Sequence, residues 1–183
     1  MKNVLHLAGP GGAGKTSVGK LLGKLLAWEF IDLDESFISS AGDISAFIET
    51  KGYRAYAQRN LAIYESIVSI GNAPVVLALS SGFITYPADV AEGYLGLRHR
   101  IEHNPLSVLL LPSFELEECV EIIVSRQMGR HYLNGNSHRE EEKIRQRFPA
   151  FMSFECTRFL SNVPVTELAC RIMRFARERK PAF

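Results

Sequence analysis

The apolar residues of this chain fall into two kinds of stretch. Short continuous runs at 3–8, 75–79 and 106–111 alternate with longer segments whose apolar positions recur every three or four residues. The runs predict strands covered on both faces, and the longer segments predict amphipathic helices. A shorter run, 29–34, ends in Asp32 and Asp34, and a last short strand is expected near 158–160. Helices are predicted over 16–27, where Val18, Leu21, Leu22, Leu25 and Leu26 form the apolar face, and over 35–72 with a break near 41–43. After that break Asp43 can cap a helix carrying Ile44, Phe47 and Ile48, and a longer helix follows over 53–70. Further helices are predicted over 87–101, 114–127, 140–159 and 166–179, with Pro149 kinking or interrupting the third of these. Strands alternating with helices imply an α/β fold: a parallel sheet of about five strands with helices on both faces.

Between the first strand and first helix lies Gly9-Pro10-Gly11-Gly12-Ala13-Gly14-Lys15-Thr16. It fits the phosphate-binding loop pattern of Gly, four residues, then Gly-Lys-Ser/Thr. Glycines let backbone N–H groups converge on phosphate oxygens, and the following helix adds the positive end of its dipole. Lys15 can reach the β- and γ-phosphates, and the Thr16 hydroxyl can ligate Mg²⁺. Strand, loop and helix follow one another as a P-loop NTPase fold requires, so a turn that binds nothing is the weaker reading.

Two more stretches bear on chemistry. On a strand, Asp32 and Asp34 would share one face and point past its end toward the loop. One carboxylate there can hold Mg²⁺, and the other can accept a proton from a substrate hydroxyl. Alternatively the pair simply caps the next helix. Ser80-Ser81-Gly82 follows the third strand, at the carboxyl edge where open α/β sheets bind ligands. Residues 128–143 are polar, glycine-punctuated and then densely charged, which suits a lid that opens for exchange and closes against water.

Composition adds bounds. At 183 residues the chain suits one domain, 1–183, and a net charge of +1 gives no case for nucleic acid or an anionic membrane as partner. No apolar run is long enough to span a bilayer and no signal peptide is visible. Cys119, Cys156 and Cys170 lack metal-ligand spacing, so a reduced, cytoplasmic setting is expected, with a monomer as the working state. His6 reads as a satisfied core histidine, and His99 and His103, whose i, i+4 spacing would suit a metal site, read as a solvated pair. His131 and His138 read as surface residues of the lid, and Arg174, Arg177, Arg179 and Lys180 as the exposed end of the last helix.

The order of these features resembles the shikimate kinase family, within the nucleoside-monophosphate-kinase-like group, nearly end to end. The resemblance rests on Gly9-x-x-Gly12-x-Gly14-Lys15-Thr16-Ser17-x-Gly19 and Phe30-Ile31-Asp32-Leu33-Asp34. It also rests on Gly42-Asp43-Ile44, Gly52, Arg130-His131-Tyr132-Leu133 and Arg147-Phe148-Pro149-Ala150-Phe151. It implies a kinase that moves the γ-phosphoryl of ATP, with Mg²⁺, onto a hydroxyl of a small anionic acceptor, shikimate by name. Gly11, Gly12, Ala13, Gly14, Lys15, Thr16 and Ser17 would hold the ATP phosphates, and Thr16 and Asp32 the metal. Asp34 would bind and deprotonate the acceptor hydroxyl, with Lys15 and the lid residue Arg130 neutralising the transferring group. Arg126 would stack on adenine, Arg147 would hold the acceptor's carboxylate, and residues 34–72 would line the acceptor site together with Gly82. The chain also departs from the family. The carboxylate-binding Arg falls on Ala57 and its Glu partner on Asn60, while the Gly-Gly-Gly after the third strand reads Ser80-Ser81-Gly82. Arg54, one helical turn before Ala57, is either placed to compensate or a solvated surface residue. Another polyol, sugar acid or nucleoside-like acceptor therefore stays open, as does a nucleotide binder without turnover.

Overall fold

The computed structural model describes residues 3–128 and 137–179. The strands β1 (Val4–Ala8), β2 (Glu29–Asp32), β3 (Val75–Ala78), β4 (Val108–Leu111) and β5 (Thr157–Leu160) pair in parallel in the order β2-β3-β1-β4-β5. Every residue of β1, β3 and β4 is buried, whereas the edge strands β2 and β5 carry exposed positions. The inner strands are continuous apolar runs because both of their faces are covered.

Seven helices are described: α1 (Lys15–Leu26), α2 (Leu33–Ala41), α3 (Ile44–Ser69), α4 (Tyr94–Glu102), α5 (Leu116–Met128), α6 (Ser137–Met152) and α7 (Val165–Arg179). The stripe Leu168, Ala169, Ile172, Phe175 and Ala176 buries α7, which packs beside α1. Likewise α2 packs on α3, and α5 on α6. No described helix is long and apolar enough to cross a membrane.

Three boundaries differ from the sequence prediction. The helix expected over 87–101 starts only at Tyr94, because local turns come first: Val90 N–H donates to Pro87 O at 3.0 Å and Tyr94 N–H to Ala91 O at 3.3 Å. The break in the 35–72 region is double, since α3 leaves helical geometry again at Gly52 (φ 84°, ψ 159°). The helix expected over 140–159 runs instead over Ser137–Met152 with Pro149 in its last turn, where Ser153 N–H donates to Pro149 O at 2.9 Å. Residues 137–143 of the expected lid thus belong to α6, and 129–136 lie outside the described residues.

One polar side chain sits inside β1. His6 bonds Ser107 Oγ through Nδ1 at 3.0 Å and Tyr64 OH through Nε2 at 2.9 Å. Asn104 Nδ2 also points at Nδ1, 3.2 Å away, so Nδ1 accepts and Nε2–H donates to Tyr64. The network ties α3 and the start of β4 to the central strand. Burial holds the imidazole neutral, lowering its pKa from 6.5 to about 3. The folded chain therefore takes up a proton at His6 less readily than the unfolded chain. The stabilisation from this neutral histidine is fully present above pH 6.5 and is lost as pH falls toward 3. Urea unfolding of the wild type against His6→Gln is expected to give a stability difference that shrinks below pH 6.5, by at most about 1.4 kcal/mol per pH unit. A pH-independent difference would contradict the assignment.

Candidate active site

Because β1, β2 and β3 are adjacent and parallel, their carboxyl ends emerge at one edge of the sheet. β1 runs into the glycine loop, β2 into Asp32, and β3 into Ser80-Ser81-Gly82. At the loop, Gly14 opens α1 in the left-handed region (φ 89°) and offers no side-chain cap. With no capping side chain there, the start of α1 is the kind of helix N-terminus that can take an anion, which is why a glycine suits the position. Lys15 Nζ curls over the head of the loop, donating to Gly9 O at 2.7 Å and Pro10 O at 2.8 Å. Gly11, Gly12 and Ala13 complete the loop, and Ser17 lies exposed in the first turn of α1. Arg126, at the end of α5, donates to Gly12 O at 3.2 Å and to Ser161 O at 3.2 Å, linking the loop to the turn after β5.

Thr16 Oγ1 donates to Asp32 Oδ2 at 2.7 Å. Hydroxyl and carboxylate together are the hard oxygen donors that suit Mg²⁺. The other Asp32 oxygen accepts from Asp34 N–H at 3.0 Å and Glu35 N–H at 3.4 Å, capping α2. This corrects the expectation that Asp32 and Asp34 share a strand face. The cap turns the chain at Asp32, and Asp34 reaches the site from the first turn of α2.

Asp34 is largely enclosed. Its Oδ1 accepts from Ser80 Oγ at 2.5 Å. Burial raises its carboxyl pKa, Asp32 adds to the rise, and the Ser80 hydrogen bond and Lys15 oppose it. Tyr56 is near enough to feel its charge, Asn60 donates to the same Ser80 Oγ at 2.8 Å, and Tyr86 OH accepts from Asn60 at 2.8 Å. Burial pushes the Tyr56 phenol up to about 12, with Asp34 contributing, so the phenol stays neutral. Ala57 and Asn60 are both fully buried.

The opposite wall comes from α6. Arg147 Nη2 donates to Tyr53 OH at 3.2 Å, and both groups crowd Gly82. A Cβ on Gly82 would lie 2.6 Å from Tyr53 OH and 3.2 Å from Arg147 Nη2, so glycine is what lets this pair approach the end of β3. Arg54 meets an anion at the surface. It pairs with Asp89 at 2.9 Å and also donates to the Asp89 carbonyl. The turns that replace the start of the expected 87–101 helix bring Asp89 to it, and the ion pair is exposed. The compensating cation expected from one helical turn before Ala57 is thus already engaged. Arg130 and His131 lie outside the described residues. Tyr53, Tyr56 and Tyr86 were not anticipated. The signal available was Tyr53 and Tyr56 at helical spacing, beside a third tyrosine just after β3. His99 and His103 lie with ring centroids 3.9 Å apart and ring planes tilted by 41° at the end of α4, both exposed.

The family model described as shikimate kinase matches residues 11–175. The shikimate kinase of Acinetobacter baylyi is 35% identical over 162 residues, a match covering 78% of this chain and 88% of that one. That of Psychrobacter sp. is 38% identical over 84 residues, covering 45% and 46%; against this relative the chain spans about half the length. Among solved structures, a shikimate kinase from Acinetobacter baumannii in complex with shikimate has a TM-score of 0.75 at 24% identity, covering 100% of this chain and 97% of that one. A gluconokinase from Sinorhizobium meliloti has a TM-score of 0.58 at 15% identity, covering 97% and 92%. At these identities the two structures speak for the fold: a five-stranded parallel sheet of the P-loop, nucleoside-monophosphate-kinase-like type.

The dual engagement of Asp32 can be separated by substitution. Asp32→Asn keeps an oxygen to cap α2 and is expected to unfold in urea within about 0.5 kcal/mol of the wild type. Asp32→Ala loses the cap and is expected to cost about 1–2 kcal/mol. Equal losses in both variants would show that the cap is not what Asp32 contributes.

Proposed function

The chain belongs to the shikimate kinase family, and on that premise we propose that it transfers the γ-phosphoryl of ATP to a hydroxyl of a small anionic acceptor. Shikimate is the first acceptor to test. The observation that carries the reading is a convergence at one edge of the sheet: Lys15 on the phosphate loop after β1, and the largely enclosed carboxylate of Asp34 after β2, which bonds Ser80 at the end of the intervening β3 and feels the Lys15 charge. The complex of the Acinetobacter baumannii enzyme with shikimate supports an anionic acceptor of this size.

In this reading the backbone of Gly11, Gly12, Ala13 and Gly14, with the first turn of α1 through Ser17, holds the phosphates. Lys15 leaves the carbonyls of Gly9 and Pro10 to follow the γ-phosphoryl. Thr16 and Asp32 would hold Mg²⁺, which when bound neutralises phosphate charge. Arg126 would lie against adenine, and Arg130 would reach the transferring group from a lid over about 128–143. Arg147, shared with Tyr53, would grip the acceptor's carboxylate beside Gly82. Asp34 takes the proton of the acceptor hydroxyl while its oxygen bonds to phosphorus, the bond from phosphorus to the bridging oxygen breaks, and ADP leaves. A raised carboxyl pKa suits that base. Arg54 is assigned no role in this reading, since its partner in the structure is Asp89 at the surface. Residues 1–183 would act as one kinase domain. The free cysteines are in keeping with a reducing cytoplasm, and a monomer is the expected state.

A second acceptor reading has its own support. The wall carrying Ala57 and Asn60 is neutral and rich in phenols, which favours a polyol or sugar acid gripped by charge at Arg147.

ADP release with Mg·ATP and shikimate, then with a panel of hydroxy acids and sugars, tests both. Lys15→Ala is expected to abolish turnover. Asp34→Ala is expected to keep ATP affinity within a few-fold while transfer falls roughly a hundredfold or more. EDTA is expected to stop turnover, and excess Mg²⁺ to restore it. ATP binding without transfer to any acceptor would favour a nucleotide-binding protein instead.

A further inference from the structure

The base proposed above does not stand alone. Ser80 follows β3 and is 4% exposed. Its Oγ donates to Asp34 Oδ1 at 2.5 Å and accepts from Asn60 Nδ2 at 2.8 Å. A serine hydroxyl has one proton. With an N–H of Asn60 on one lone pair and the Tyr56 phenol as a further partner, that proton is directed at the nearest acceptor, Asp34 Oδ1. Asn60 is itself held, because Nδ2 also donates to Tyr86 OH at 2.8 Å. The far end is anchored to backbone: Tyr86 N–H donates to Tyr94 OH at 3.1 Å, and Tyr94 OH donates to Phe83 O at 2.8 Å. The chain from Phe83 to Asp34 is buried and made of neutral groups, apart from the carboxylate at its end. Among the described residues Asn60 Oδ1 has no hydrogen-bond partner, so the amide sits at a cost that a merely space-filling residue would not carry.

We propose that Ser80, oriented by Asn60, is a positioning residue that holds the Asp34 carboxylate in one rotamer, committing Oδ1 to the protein and presenting Oδ2 to the acceptor hydroxyl. The proposal rests on the reading of Asp34 as the base. It also narrows the acceptor. Where a hydroxyl is met by an oriented carboxylate and an uncharged wall of Tyr56, Asn60 and Tyr86, the acceptor presents hydroxyls there. Its anionic group lies at the Arg147 end.

Two measurements on Ser80→Ala test this, and the substitution is small enough for the site to accept. In kinetics, kcat is expected to fall roughly tenfold to hundredfold, the size of loss a misplaced reacting group gives, with the KM for ATP unchanged within twofold. An unchanged kcat, or a loss confined to the KM for ATP, would overturn the proposal. In crystal structures, Asp34 is expected in one rotamer in the wild type and in more than one in Ser80→Ala. A single, unmoved rotamer in the variant would overturn it as well. The crystallographic arm needs no turnover. A wild type inactive on every acceptor would therefore sink the kinase reading while this geometry is still tested.

Discussion

The site depends on parallel pairing. β3 lies between β1 and β2, with His6 opposite Leu77 and Ile31 opposite the same residue. Three consecutive carboxyl ends therefore emerge side by side, one carrying the phosphate loop, one Asp32 and one Ser80. An antiparallel neighbour would send one of these groups to the far edge of the sheet. The buried apolar runs of β1 and β3 enforce the arrangement, since strands covered on both faces leave no polar side to turn outward. Burial of His6 in neutral form, tied to Tyr64 and Ser107, fastens α3 and the start of β4 to the same central strand.

Much of this was legible from residue order. The phosphate loop and the alternation of strands and helices follow from motifs whose spacing leaves few geometries, while the nearness of Gly82 and Arg147 was implied only by the family resemblance. What was not legible depends on contacts distant in sequence. The turn at Asp32 depends on its own side chain capping α2, an option the alternating pattern of 29–34 does not exclude. The late start of α4 follows from turn bonds at Pro87 and Ala91. The engagement of Arg54 follows from where those turns deliver Asp89. Helical periodicity places Arg54 on a face but says nothing about an anion 35 residues further on.

The departures at Asn60 and Ser80 read as separate losses in the sequence, one on a helix and one after a strand. In the structure they bond to each other and, through Ser80, to Asp34. An uncharged network thus lies beside Asp34. Neutral partners avoid the desolvation that an enclosed ion pair would require. They also leave charge concentrated at two places: Lys15 with the loop, and Arg147 with Tyr53. That division suits phosphoryl transfer, where the protein's contribution is position and charge neutralisation rather than covalent chemistry.

The central claim is that a nucleotide's terminal phosphate and an acceptor hydroxyl meet between the loop and Asp34. The most direct measurement is a crystal structure with Mg²⁺, a non-hydrolysable ATP analogue and shikimate. The account predicts phosphates on the amides of residues 11–17, and a shikimate hydroxyl within hydrogen-bonding distance of Asp34 and in line with the terminal phosphorus. Phosphates bound elsewhere, or a shikimate whose hydroxyls all lie out of reach of Asp34, would contradict it.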